Sequence, residues 1–131
     1  MIKLIFDEPG SDLADELWDR ADIVASGHLI YPEARAAAAA ARRGGRIDSR
    51  TLRSAVQAID ELFAELRVIG VDGELVQAAG ELAERHGLRG YDAVHLASAI
   101  GIGEPELVVA TWDQDLRAAA VAHGYTVPAR Q

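Results

Sequence analysis

With 131 residues, 50% of them hydrophobic and 26% charged, the chain has the usage of an ordinary globular domain, which excludes a disordered chain and leaves no room for a second large core. It contains no cysteine, so a disulfide framework and a thiolate metal site are both excluded. Its net charge of -8 excludes a general polyanion binder, because nonspecific nucleic-acid affinity comes from cations displacing counterions from phosphates.

The opening Met-Ile-Lys-Leu-Ile-Phe is too short for a signal peptide, and no later apolar run approaches a membrane span, so the expectation is a soluble, cytoplasmic protein without a membrane partner. Asp7-Glu8-Pro9-Gly10-Ser11-Asp12 carries turn chemistry and then a helix start, with Leu13, Leu17, Trp18 and Ala21 as an apolar stripe. Residues 22–26 predict a strand, followed by a loop with Gly27 and His28. Pro32 suits the first position of a helix that runs through Glu33 and the alanines of 36–41 and ends near Gly44-Gly45; those alanines are read as helix filler.

Asp48 or Ser49 caps a third helix, in which Leu52, Val56, Ile59, Leu62, Phe63 and Leu66 recur at intervals of three and four. Residues 67–71 predict a strand, Asp72 a cap, and 74–86 a helix closing at His86-Gly87. Helix resumes near Tyr91 and stops before the breakers Gly101, Gly103 and Pro105. Residues 107–111 form a continuous apolar run expected of a doubly covered parallel strand, 114–123 a helix, and 125–127 an edge strand. Strands alternating with helices give an α/β fold with a mainly parallel central sheet and helices on both faces.

In such sheets ligands bind beyond the carboxyl ends of the strands, which directs attention to Glu33, Asp92, Asp113 and Asp115. Each has an ordinary alternative as a helix cap or first-turn acid. Clustered carboxylates repel one another unless a positive charge sits among them, and a divalent cation is the natural partner; magnesium prefers oxygen ligands and keeps several waters. Arg35, Arg42, Arg43, Arg46, Arg50 and Arg53 form a basic island containing one acid, Asp48, either a hold on substrate phosphates or a solvated surface. His28, His86, His95 and His123 show no metal-ligand spacing.

Leu88-Arg89-Gly90-Tyr91-Asp92-Ala93-Val94-His95-Leu96-Ala97 resembles the segment of PIN-domain ribonucleases of the VapC toxin family in which an aspartate precedes Ala-x-His-Leu-Ala. Val109-Ala110-Thr111-Trp112-Asp113-x-Asp115 is similar to that family's Thr-x-Asp strand end, and Ser26 through Tyr31 to Glu33 and Arg35 to its second acidic motif. The resemblance implies a PIN-like three-layer sandwich and a Mg²⁺- or Mn²⁺-dependent endoribonuclease toxin, neutralised by a VapB-like antitoxin and forming a homodimer. It implies Asp92 and Asp113 as principal metal ligands, Glu33 and Asp115 as ligands or their partners, and Thr111 as a hydrogen-bonding group for water or phosphate. Arg42, Arg43 and Arg46 are then the candidate RNA contacts. The family's pattern opens with a strand ending in aspartate, which the resemblance places ahead of Met1; residues 1–131 thus read as a single PIN domain truncated at its N-terminus, first strand missing. Two alternatives predict no nuclease: a PIN-like binding module that has lost its catalytic competence, and an unrelated α/β domain of phospho-receiver type.

Overall fold

The structure is a computed structural model that describes residues 9–21, 24–104 and 106–128. It falls into two compact units, residues 1–67 and 68–130. The Asp7-Glu8 part of the first turn, the start of the strand expected at Asp22, and Pro105 lie outside the described residues.

In the first unit, helix α1 (Ser11–Arg20) starts after Gly10, whose φ of 95° lies in the left-handed region that side chains disfavour. Strand β1 (Ala25–Gly27) leads to helix α2 (Ile30–Arg43). Pro32 is the third residue of α2 rather than the expected first. The position suits it, because the first N–H groups of a helix have no intrahelical acceptor and a missing donor there costs nothing. Helix α3 (Ser49–Glu65) is capped by Asp48, whose carboxylate accepts the Thr51 N–H at 2.7 Å. That backbone hydrogen bond, ahead of weaker effects that include the nearby Arg42 charge, holds the Asp48 carboxyl below its usual range. At the end of the unit the Arg67 N–H donates to the Val24 carbonyl at 2.8 Å, as strand β2 (Arg67–Ile69) begins.

The alanines of α2 are more than filler. Ala34, Ala38 and Ala41 recur at helical spacing on one buried face, and the first two pack with Ala55 and Ile59 of α3. Small side chains at each turn let two helices approach closely, and Tyr31 and Leu52 close the cluster from the side. Tyr31 also stacks at a tilt on Phe63, with ring centroids 5.0 Å apart.

In the second unit, helix α4 (Gly73–His86) is capped by Asp72, which accepts the Leu75 N–H at 2.8 Å, and ends at Gly87 with φ 63°. Helix α5 (Gly90–Ile102) packs on α4 and on helix α6 (Gln114–Ala122). Leu82, Leu88, Ala93, Leu96, Ala119 and Ala120 are central to the core. Leu96 is 1% exposed, and burying a leucine contributes roughly 1.5–3 kcal/mol. The buried Ser98 is satisfied by donating to the Val94 carbonyl at 2.8 Å, one helical turn back.

Two expectations are corrected in this unit. Helix α5 passes through Gly101 and stops at Gly103 with φ 71°, because a glycine inside a helix costs only about 1 kcal/mol whereas a left-handed cap ends it. The strands expected at 107–111 and 125–127 reduce to one parallel bridge between Val108 and Thr126, with the Val109 N–H on the Thr126 carbonyl at 2.9 Å. Val108 is 47% exposed, so this run is not the doubly covered strand its composition suggested. The segment that follows is tied to α6 by Arg117, whose guanidinium donates to the carbonyls of Val127 and Pro128. No described helix is long and apolar enough to cross a membrane.

Candidate active site

Helix α5 begins with Gly90, Tyr91 and Asp92, so the Asp92 carboxylate sits in the first turn, where the positive end of the helix dipole favours an anion. It is not the N-cap, a position held by Arg89. Asp92 is buried, its side chain 7% exposed, and a buried carboxylate must be paired. The partner is Arg89: its Nε donates to Asp92 Oδ2 at 3.0 Å.

The same guanidinium reaches a second acid. Its other arm donates to Asp113 Oδ2 at 3.1 Å, so two carboxylates 21 positions apart in sequence meet on one cation. The hydrogen bond to Asp92, and then that carboxylate's charge, hold the guanidinium pKa above its ordinary value. Arg89 also lies over the Tyr91 ring, 5.3 Å from its centroid, and Tyr91 meets His95 edge to face at 6.1 Å.

Asp113 divides its two oxygens. While Oδ2 faces Arg89, Oδ1 accepts the Leu116 N–H at 2.9 Å and caps α6. Just before it, the Thr111 hydroxyl accepts the Asp113 N–H at 3.2 Å. A hydroxyl that accepts there keeps its own proton to donate.

The structure therefore brings Asp92, Asp113 and Thr111 into one locality of the second unit. Asp115 lies in the first turn of α6 and is exposed. Glu33 is a half-buried residue in the first turn of α2, in the other unit. Within the second unit no three described acidic or histidine side chains gather closely enough to hold a metal ion between them. Between Asp92 and Asp113 the positive charge is supplied by Arg89, where the sequence had suggested only a cation from solution. Arg89 was legible in principle, since it stands three residues before Asp92, at the cap position of the helix whose first turn holds that acid.

In the first unit the arginine island is partly consumed internally. The Tyr31 hydroxyl donates to Asp60 at 2.7 Å and accepts from Arg35 at 3.1 Å, and the Tyr31 hydrogen bond is the main cause that raises the Arg35 pKa above its ordinary value. Arg42 donates to the Ser49 hydroxyl at 3.0 Å. Arg42, Arg43 and Arg46 are all exposed, at the end of α2 and the turn after it, where basic side chains suit the negative end of the helix dipole.

A pair of histidines meets in the second unit without any signal in the sequence. His86 ends α4 and His123 follows α6, and their Nε2 atoms are 3.0 Å apart in a part-buried contact. One ring donates and the other accepts, an arrangement that needs at least one of them neutral. Burial first, then the charges of His86 and Arg85, press the His123 pKa below its ordinary value.

Residues 1–122 match the PIN domain, a match that runs through both units, and the chain belongs to the PIN-domain family. That membership sets aside the phospho-receiver alternative. Within the family the kinship is narrower. The chain is 45% identical over 130 residues to Ribonuclease VapC45 of Mycobacterium tuberculosis (strain CDC 1551 / Oshkosh), covering 99% of this chain and 90% of that protein. The same identity and coverage hold against Ribonuclease VapC49 of Mycobacterium tuberculosis (strain ATCC 25618 / H37Rv), which makes this a VapC-type PIN domain.

Proposed function

We propose that the chain is an endoribonuclease toxin of the VapC type, which hydrolyses RNA phosphodiester bonds with the help of Mg²⁺ or Mn²⁺. The observation that carries the reading is the meeting of Asp92 and Asp113 on a single cationic group, in a chain whose relatives are named ribonucleases. Both are hard oxygen donors, and magnesium is commonly held by one or two carboxylates with water and substrate phosphate as the remaining ligands, so this donor pair fits the ion.

In this reading Asp92 and Asp113 would hold the cation, with Glu33 and Asp115 as further ligands or as partners of those ligands. When bound, such an ion would lower the pKa of a water nucleophile and offset the charge on the leaving oxygen. The protein's own contribution is to fix the carboxylates before substrate arrives. Asp92 is held by burial in the first turn of α5, and Asp113 by the cap it makes on α6. Thr111, whose hydroxyl accepts the Asp113 N–H, would hydrogen-bond the water or a phosphate oxygen. Arg42, Arg43 and Arg46 hold phosphates of the RNA away from the scissile bond. A VapB-like antitoxin neutralises the enzyme, which acts as a homodimer in the cytoplasm.

The test is cleavage of RNA by the purified protein with Mg²⁺ or Mn²⁺ present. Chelation is expected to abolish cleavage and the added metal to restore it. Cleavage unchanged by chelator would refute metal dependence, and absence of cleavage together with retained antitoxin binding would favour the reading as a binding module.

A further inference from the structure

Arg89 has no task in that reaction, yet it occupies the oxygens a cation would take. We infer that Arg89 is a resident counter-ion that competes with the divalent cation for Asp92 and Asp113, and that once displaced it binds a phosphate of the substrate. The inference rests on the proposed metal-dependent reading.

The geometry is specific about which atoms are contested. Arg89 takes Oδ2 of each carboxylate, at 3.0 and 3.1 Å, while Oδ1 of Asp113 is already committed to the Leu116 N–H. The outward-facing oxygen of Asp113 and the paired oxygen of Asp92 are thus the ones the guanidinium covers. A divalent ion and a guanidinium cannot share them, since two cations at that spacing repel.

Exposure decides which partner is permanent. The Asp92 side chain is 7% exposed, whereas that of Arg89 is 65% exposed. A buried carboxylate stripped of its counter-charge is costly, while a guanidinium returned to water loses little. Ionised Asp92 therefore needs a cation beside it, but that cation can be exchanged. The exposed ring of Tyr91 gives the departing guanidinium a second attachment, 5.3 Å away, that keeps it at the site. A planar fork of donors held there matches two phosphate oxygens, which a lysine would not do.

Mn²⁺ binding, followed by electron paramagnetic resonance of the unbound ion and by calorimetry, reads this without reference to catalysis. Arg89→Gln is expected to bind Mn²⁺ roughly two- to fivefold more tightly than the wild type, the range set by ion pairs that are exposed on one side. At saturating Mn²⁺ the same variant should show a raised KM for RNA, the displaced arginine no longer being present to hold phosphate. Mn²⁺ affinity that is unchanged or lower in Arg89→Gln, while Asp92→Asn still loses binding, overturns the counter-ion and leaves the metal reading standing. Absence of Mn²⁺ binding in every form, or binding indifferent to Asp92→Asn and Asp113→Asn, overturns the metal reading itself. Should Arg89→Gln fail to fold, the wild-type Arg89 Nε–H resonance decides: it is expected to shift on saturation with Mg²⁺, and a signal that stays in place refutes displacement.

Discussion

Among the described residues, the unit of 1–67 buries alanines, Ile59 and Ser11 but no charged side chain, whereas the unit of 68–130 buries the carboxylate of Asp92 and has to answer for it with Arg89. Both are made of packed helices with aspartate caps, so the contrast does not come from architecture. It comes from what each core is asked to hold. A surface arginine such as Arg43 is solvated at little cost, but an ionised carboxylate out of water is stable only where a partner is fixed.

The comparison is broken most directly by neutralising the acids. Asp92→Asn and Asp113→Asn are each expected to lower RNA cleavage on the order of a hundredfold or more, the scale of losing one preorganised charge-stabilising group. Asparagine caps a helix about as well as aspartate, so Asp113→Asn should keep its thermal midpoint near that of the wild type. Near-full cleavage in both variants would remove the second unit's claim to the chemistry.

Packing gives the next largest effect and should be similar in the two units. Leu96→Ala and Ile59→Ala, each at a position at most 1% exposed, are expected to cost about 2–5 kcal/mol in denaturant titration. A cost below about 1 kcal/mol at either position would show that its core is less well packed than the burial implies. Replacing Arg42, Arg43 and Arg46 together with glutamine should act on binding rather than on chemistry, raising KM severalfold with kcat nearly unchanged. The salt dependence of RNA binding should flatten as well, by about 0.7 in slope for each phosphate that is no longer neutralised. If kcat falls instead, the division of labour between the two units is wrong.

The smallest effect is a pH dependence confined to the second unit. The His123 pKa is lowered in the folded state from the ordinary value of 6.5, so the unfolded chain binds the proton more readily. The stabilisation is therefore complete above about pH 6.5 and is lost as pH falls through the folded value. The thermal midpoint is expected to drop modestly on acidification through that window, and His123→Asn should flatten the drop. An unchanged slope in that variant would assign the acid sensitivity elsewhere.

Much of this was legible in the sequence where the signal is local. Caps at Asp48 and Asp72, the left-handed Gly87 and the heptad-like run in α3 depend on neighbours within a turn or two, and each lies where its residues predict. The apolar run at 107–111 misled because a strand is stabilised by what lies beside it, and here that is one bridge to Thr126. Asp92 and Asp113 stood out as acids in suggestive places, but composition alone could not show that a single arginine joins them. Neither could it foresee the contact of His86 with His123, which depends on how the ends of α4 and α6 come together.

Asp113 spends one oxygen as a peg for α6 and offers the other to the guanidinium, and that double use leaves no slack in the length of its side chain. Glutamate carries the same charge on an arm one methylene longer, so its two oxygens would reach past both positions that those of Asp113 occupy. The site is thereby calibrated by a strut, since whatever shifts the first turn of α6 also changes the aim of the carboxylate.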